Sequence, residues 1–185
     1  MKILNLHGYN GNPHNSAYGV LTALGHEVIS PTLDYDKLTP EKLLSELCGL
    51  VEQSKVSAVV GISMGGFYAS LLSVRLGLPA ILINPCLMPF VYLPRLGSAG
   101  DIRPYMTLFA ELSGIDTKKT STVVGDCDEI IDTQELTKAL LGSGRYVVVH
   151  GGMHSGMTLP LDTILPEFLE SIIDKDKTEA ARYGI

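Results

Sequence analysis

The chain has 185 residues, 45% of them hydrophobic, and a formal net charge of −6. A chain of this length fits one domain and can bury about 70% of its unfolded surface without disulfides or metals. The negative balance, with no cluster of lysine and arginine, argues against a nucleic-acid partner. The three cysteines are widely spaced and form no Cys-x-x-Cys pair, so they predict neither a disulfide framework nor a zinc site.

The apolar run at the N-terminus is interrupted by Asn5 and His7, which is typical of a strand rather than a signal peptide. No apolar stretch is long enough to predict a membrane span. We therefore expect a soluble, cytoplasmic protein whose thiols are reduced.

Short apolar runs predict strands, and the longer stretches between them predict helices. The predicted strands are Lys2–Leu6, His26–Ser30, Val56–Val60, Pro79–Pro85, Thr120–Val124 and Arg145–His150. The predicted helices are Ser16–Leu24, Pro40–Val51, Phe67–Leu76, Met106–Leu112, Thr133–Leu141 and Leu161–Ile173. We expect Pro166 in the first turn of the last helix and a loose, charged tail from Asp174. Strands that alternate with helices predict an α/β fold with a doubly wound, mostly parallel sheet and helices on both faces.

The stretch Gly61-Ile62-Ser63-Met64-Gly65-Gly66 lies between a predicted strand and a predicted helix. Gly-x-Ser-x-Gly in this context is the nucleophile elbow of the α/β-hydrolases, which exposes a serine hydroxyl at a sharp turn. The motif alone arises often by chance in a chain rich in glycine and serine, so the flanking elements carry the inference. They predict Ser63 as a nucleophile.

A serine nucleophile needs a base, and the base needs an orienting carboxylate, in the chain order Ser, Asp or Glu, His. Three aspartates follow the fifth predicted strand: Asp126, Asp128 and Asp132. Asp128 is preferred as the acid because Gly125-x-x-Asp128 followed by an acid and two branched residues resembles a pattern common in hydrolases. Asp126 is the alternative, either as the acid or as a residue that closes the turn.

Two of the five histidines lie at the end of the last predicted strand or in the loop after it. His150 ends that strand, and its side chain can point to either face. His154 lies in a glycine-rich loop that can bring an imidazole over the serine, so it is the predicted base.

The oxyanion of an acyl-transfer intermediate needs two backbone donors. The N–H of Met64 follows the nucleophile, and the N–H of Tyr9 lies in the loop after the first strand. His7 is predicted to brace this loop rather than to take part in the chemistry. Residues 86–118, which contain several prolines and aromatic residues, are either a small cap or an ordinary crossover insertion.

Taken together, the motifs resemble the YqiA-like small bacterial esterases, minimal α/β-hydrolases of nearly this length. The similar segments are Leu4–Asn10, Gly61–Ala69, Ile83–Pro89, Asp128–Asp132 and Gly151–Ser155. The resemblance implies a single α/β-hydrolase domain over residues 1–185 that hydrolyses carboxylic esters, or acyl thioesters, without metal or cofactor. Met153 departs from the family pattern, which has an acidic residue there. Residues 86–118 match the family only at their start.

The leading hypothesis is a serine esterase that cleaves small acyl esters through Ser63, His154 and Asp128, with Tyr9 and Met64 as oxyanion donors. The same groups would serve an acyl-CoA thioesterase, a peptidase or an acyltransferase. A non-catalytic binding protein with the same fold is the third hypothesis. The chain lacks the glycine patterns typical of nucleotide sites, so no nucleotide partner is predicted.

Overall fold

The computed structural model describes residues 1–183, and for residues 174–183 only the backbone. Six parallel strands form one sheet in the order β2-β1-β3-β4-β5-β6. They are β1 (Lys2–Leu6), β2 (Glu27–Ile29), β3 (Ala58–Ile62), β4 (Ala80–Ile83), β5 (Thr120–Gly125) and β6 (Arg145–Val149). The strand order reverses between β1 and β3, and in open parallel sheets ligands bind at the carboxyl edge near such a reversal.

Among residues 1–183, seven α-helices cover the two faces of the sheet. They are α1 (Ser16–Ala23), α2 (Pro40–Ser54), α3 (Met64–Leu76), α4 (Pro89–Arg95), α5 (Arg103–Glu111), α6 (Gln134–Leu141) and α7 (Leu161–Tyr183). Helices α1 and α7 pack on one face, against side chains such as Ile3, Ile81 and Val123. The opposite face packs against α2, α3 and α5 through side chains that include Leu4 and Leu82. The predicted doubly wound α/β architecture is thus confirmed, and every strand pair in it is parallel.

The central strand and the helix after it differ from their predicted bounds. Strand β3 runs two residues beyond Val60, and all five of its residues are buried. Helix α3 begins at Met64, three residues before Phe67, because Gly65 and Gly66 belong to its first turn. Glycine is a poor helix former, so propensity argued against including these two residues.

Residues 86–118 connect β4 to β5 and contain α4, α5 and a short 3₁₀ turn over Leu112–Gly114. Helix α5 begins three residues before the predicted Met106. Its buried Tyr105 and Leu108 join the core on the α2 and α3 face of the sheet. This half of the segment is therefore part of the packed domain.

The last helix differs from its prediction in two ways. Its backbone is helical from Leu161 to Tyr183, so the helix continues past Ile173. Pro166 lies inside the helix rather than in its first turn, so that prediction was wrong. No helix in the described part of the chain is long and apolar enough to cross a bilayer.

Candidate active site

Ser63 stands at the turn between β3 and α3 with a strained backbone, φ 52° and ψ −119°. This positive φ is unusual for a residue with a β-carbon. Three backbone hydrogen bonds hold the turn: Ser63 N donates to Ile83 O at 3.0 Å, and Ser63 O accepts from Gly66 N at 2.8 Å and Cys86 N at 2.9 Å. The residue is 9% exposed. The elbow thus fixes Ser63 against the end of β4.

The glycines of the motif are required by close backbone approaches. A β-carbon on Gly61 would collide with the carbonyl of Gly65, and one on Gly65 would collide with the carbonyl of Leu6. A β-carbon on Gly66 would lie 2.7 Å from Cβ of Pro85. The turn can therefore pack against β1 and the end of β4 only if these side chains are absent.

Asp128 lies in the loop after β5, and its side chain is only 1% exposed. Its Oδ1 accepts backbone hydrogen bonds from Ile130 at 2.9 Å and Ile131 at 2.8 Å. The side-chain amide of Gln134 donates to Oδ2 at 3.3 Å. The carboxylate is held in one orientation by donors from its own loop and from the start of α6.

His154 lies in the loop after β6 and is 19% exposed. Its Nδ1 is 2.9 Å from Oδ2 of Asp128 and 3.0 Å from Oδ1. A carboxylate only accepts, so Nδ1 carries the proton and Nε2 is left with a free lone pair. The His154 backbone N–H donates to Glu129 Oε2 at 2.9 Å, and this bond holds the pKa of Glu129 below its usual range.

The structure brings Asp128 and His154 together, whereas no hydrogen bond among the described residues joins Ser63 Oγ to the His154 ring. Bonds of this kind are often long without substrate and tighten in the reacting complex. A shared support connects the two residues. Ile83 O accepts from Ser63 N, and the amide of the next residue, Asn84, donates to His154 O at 2.9 Å.

The alternative acid and base, Asp126 and His150, bond to each other. Asp126 Oδ2 is 2.7 Å from His150 Nδ1, and Oδ1 accepts from Gly151 N at 2.7 Å. These two bonds hold the pKa of Asp126 below its usual range, His150 having the larger effect. The His150 side chain is 92% exposed and the Asp126 side chain 38%. Asp126 therefore closes a surface turn.

The two predicted oxyanion donors are backbone N–H groups at the starts of neighbouring loop and helix segments. Met64 N is the first amide of α3, and Tyr9 N follows Gly8 in the loop after β1. Within the described part of the chain, neither amide donates to another protein group. A β-carbon on Gly8 would lie 3.0 Å from Cβ of Ser63, so this glycine lets the loop approach the serine. The positive end of the α3 dipole adds to the attraction for an anion at Met64 N.

The loop that carries Tyr9 is braced from the β2–α2 connection. His7 is buried; its Nε2 accepts from Leu33 N at 2.9 Å, so Nδ1 donates to Gly8 O at 2.7 Å. The Tyr35 hydroxyl donates to His7 O. His7 is thus a structural brace for this loop, consistent with the role expected from its position.

The Tyr9 side chain is anchored separately. Its hydroxyl donates to Asp36 at 2.7 Å, which raises the pKa of Tyr9. The other oxygen of Asp36 accepts from Ser98 Oγ at 2.6 Å, which ties the segment after α4 to the same carboxylate. The backbone near Tyr9 is therefore restrained through His7, and its side chain through Asp36.

Two supporting residues of this site were not singled out from the sequence: Asn84 and Gln134. Asn84 lies in the Ile83–Pro89 segment, and an asparagine directly after a buried strand can indicate a polar support at the edge of the sheet. Gln134 is one polar residue among many at a helix start, and nothing in the pattern distinguishes it. Cys86, two residues after Asn84, is buried, and burial raises the pKa of its thiol to about 12. In the described chain no group of three or more histidine, cysteine and acidic side chains is placed to hold a metal ion.

Comparison with solved structures gives distant neighbours that share the fold. A putative hydrolase of the α/β superfamily from Xanthomonas campestris is 17% identical over 96% of this chain and 97% of that chain, with a TM-score of 0.59. The enol-lactonase from Burkholderia xenovorans is 16% identical over 91% of each chain, with a TM-score of 0.62. A structure reported among carboxylesterases of Nitrososphaera gargenis is 15% identical over 98% and 91%, with a TM-score of 0.56. These likenesses establish the α/β-hydrolase fold.

The family follows from a more specific match. The sequence profile of the Uncharacterised protein family (UPF0227) matches residues 2–156, which include the elbow and both loops that carry Asp128 and His154. This is the YqiA-like family that the motifs resembled, so the resemblance is confirmed. The chain therefore belongs to UPF0227 and has the α/β-hydrolase fold.

Proposed function

We propose that the protein is a serine hydrolase that cleaves carboxylic esters through Ser63, His154 and Asp128. The observation that carries the proposal is the Asp128–His154 pair, whose carboxylate is buried and whose histidine is tied through the end of β4 to a serine at a strained elbow. The distant structural neighbours include esterases, which is compatible with this chemistry but concerns only their fold.

Acylation begins when Ser63 Oγ attacks the ester carbonyl carbon and His154 Nε2 takes the hydroxyl proton. The carbonyl π electrons move to oxygen, and the oxyanion is stabilised by the N–H groups of Tyr9 and Met64. Asp128 keeps the imidazole in the correct tautomer and stabilises its protonated form. As the intermediate collapses, the bond to the alcohol breaks and His154 returns the proton to the leaving oxygen.

Deacylation repeats these steps with water. His154 removes a proton from water, the hydroxide oxygen attacks the acyl carbon, and the bond to Ser63 Oγ breaks. The serine regains its proton from His154, and the acid is released. Loss of one oxyanion donor typically reduces transition-state stabilisation by about 3–4 kcal/mol. The N–H groups of Tyr9 and Met64 have no other protein partner among the described residues, which leaves both free to bind the oxyanion.

The charges around the site favour a neutral ester over a coenzyme A thioester. Glu129 bonds to the His154 backbone, Asp126 to the same loop at Gly151, and Asp36 to Tyr9. Arg95 is paired with Asp132, in the loop after β5, at 3.2 Å. A polyphosphate donor would approach against net negative charge.

The nucleophile can be tested with a fluorophosphonate probe, which labels an activated serine. We expect wild type and the exposed-site control Ser113→Ala to be labelled, and Ser63→Ala to remain unlabelled. A folded wild-type protein that fails to label would reject the catalytic proposal and leave a non-catalytic binding protein as the better hypothesis.

The substrate class can be tested with p-nitrophenyl esters and acyl-CoA thioesters of matched chain length. We expect higher kcat/KM for the esters, and a kcat/KM for acyl-CoA that rises with ionic strength because salt screens the repulsion. Faster turnover of acyl-CoA at low salt would favour the thioesterase instead.

A further inference from the structure

Asn84 is a buried polar residue directly after β4, the strand that lies between the serine strand and the acid strand. It is fully buried, and its φ of 42° lies in the left-handed region that asparagine tolerates better than most residues. Its backbone N–H donates to Val123 O at 2.9 Å and extends the ladder between β4 and β5. This conformation turns the side chain away from the regular strand pattern.

The carboxamide of Asn84 is fully used. Oδ1 accepts from Gly125 N at 2.8 Å, and Nδ2 donates to Met153 O and His154 O, both at 2.9 Å. The amide orientation is fixed by its partners, because a backbone N–H can only donate and backbone carbonyls can only accept. One side chain thereby joins the end of the acid strand to the main chain of the base.

These contacts complete a set of restraints on His154. Its N–H is bound by Glu129, its ring by Asp128 and its carbonyl by Asn84. The residue before Asn84, Ile83, accepts from the backbone of Ser63. Consecutive residues of one chain segment thus anchor the nucleophile and the base, so the separation between Ser63 and His154 depends on a short, rigid connection.

We infer that Asn84 is a positioning residue, which sets the place of His154 relative to Ser63 and Asp128; this inference rests on the function proposed above. Asn84 does not touch the reacting atoms. It acts by holding the backbone of the loop that carries the imidazole, and small displacements of a base are costly for catalysis.

The test uses Asn84→Asp, which keeps the size of the side chain. Aspartate can offer at most one proton, so it cannot satisfy both loop carbonyls, and when charged it repels them. We expect kcat for a p-nitrophenyl ester to fall by roughly 10²-fold with little change in KM. A crystal structure of the variant should show His154 Nδ1 beyond hydrogen-bond distance of Asp128. The exposed-site control Asn12→Asp should keep the wild-type kcat.

A merely structural role for Asn84 predicts something different: a lower unfolding midpoint, with kcat of the folded enzyme unchanged well below that midpoint. That result, or an undisturbed Asp128–His154 pair in the variant crystal, would overturn the inference. If Asn84→Asp fails to fold, the same readouts on Asn84→Gly decide, because glycine accepts the positive φ without strain. If the wild type hydrolyses no ester, the proposed function fails, and the crystallographic readout alone still tests whether Asn84 holds the His154 loop.

Discussion

Two aspartate–histidine pairs bridge the loops after β5 and β6, and they differ mainly in burial. Asp128 and His154 lie 2.9 Å apart with side chains 1% and 19% exposed. Asp126 and His150 lie 2.7 Å apart with side chains 38% and 92% exposed. Residue types, loops and distances are alike, so none of these features separates the two pairs.

The surroundings of the two carboxylates separate them. Asp128 has backbone donors from Ile130 and Ile131 and a side-chain donor from Gln134. Asp126 has one backbone donor, Gly151, and faces solvent. In water an imidazolium gains little from a nearby carboxylate, whereas in a buried site the interaction is stronger and the orientation is fixed. A pair suited to orient a base therefore needs a shell of donors and exclusion of water.

The largest expected effect on activity comes from replacing the carboxylate of Asp128 with an amide. Asp128→Asn keeps the shape of the side chain but lets its NH₂ group favour the wrong imidazole tautomer, so we expect kcat to fall by about 10⁴-fold. Asp126→Asn is the matched control and should leave kcat unchanged. Steady-state ester hydrolysis measures both. Activity that survives in the first variant and collapses in the second would reverse the comparison and make Asp126 the acid.

A smaller effect is expected when the shell of Asp128 is weakened. Gln134→Ala removes one donor to Oδ2, and a hydrogen bond of this kind contributes ~1 kcal/mol, or about fivefold in kcat/KM. Gln134 Oε1 is buried without a partner, so its removal should not lower the free energy of unfolding by much. Glu135→Ala, on the exposed side of the same helix, is the control. Equal kcat/KM in both variants would mean that the backbone donors alone orient the carboxylate.

The smallest effect concerns the exposed pair and appears in stability rather than activity. The pKa of Asp126 is held below its ordinary 3.8 in the folded protein, so the pair stabilises the fold above that pH. The contribution is lost as the pH falls through the lowered folded-state pKa. Urea unfolding of wild type and Asp126→Asn should show a difference near neutral pH that narrows on acidification below about pH 4. A difference that grows on acidification would contradict this sign.

Much of the fold follows from patterns that are local in the chain. Buried parallel strands are continuous apolar runs, and helix starts such as Thr39-Pro40 carry their own capping signal, which the structure reproduces with Thr39 Oγ1 accepting from Lys42 N. The errors fall where tertiary packing overrides local preference. Gly65 and Gly66 lie in the first turn of α3 despite their low helix propensity, and β1 and Pro85 leave no room there for side chains. Pro166 is accommodated inside α7.

Less of the proposed site than of the fold can be predicted from the sequence. Motif order nominates Ser63, Asp128, His154, Tyr9 and Met64, and these assignments stay predictions until the labelling and kinetic experiments are done. The contacts of the supporting residues could not be predicted this way, because Asn84 and Asp36 act through partners 41 and 62 residues away in sequence. Only the assembled sheet brings such pairs into contact, so no local pattern records them.

The parallel sheet also has a consequence for folding. Parallel neighbours cannot be joined by a short turn, and the bond between Ser57 and Lys2 closes a separation of 55 residues. Non-local pairings of this kind must overcome loop-closure entropy before they add stability, which slows folding. The proposed nucleophile, acid and base come from three different strand ends, so they meet only when β3, β4, β5 and β6 are all paired. Ester turnover would then appear late in refolding, after most of the helical signal.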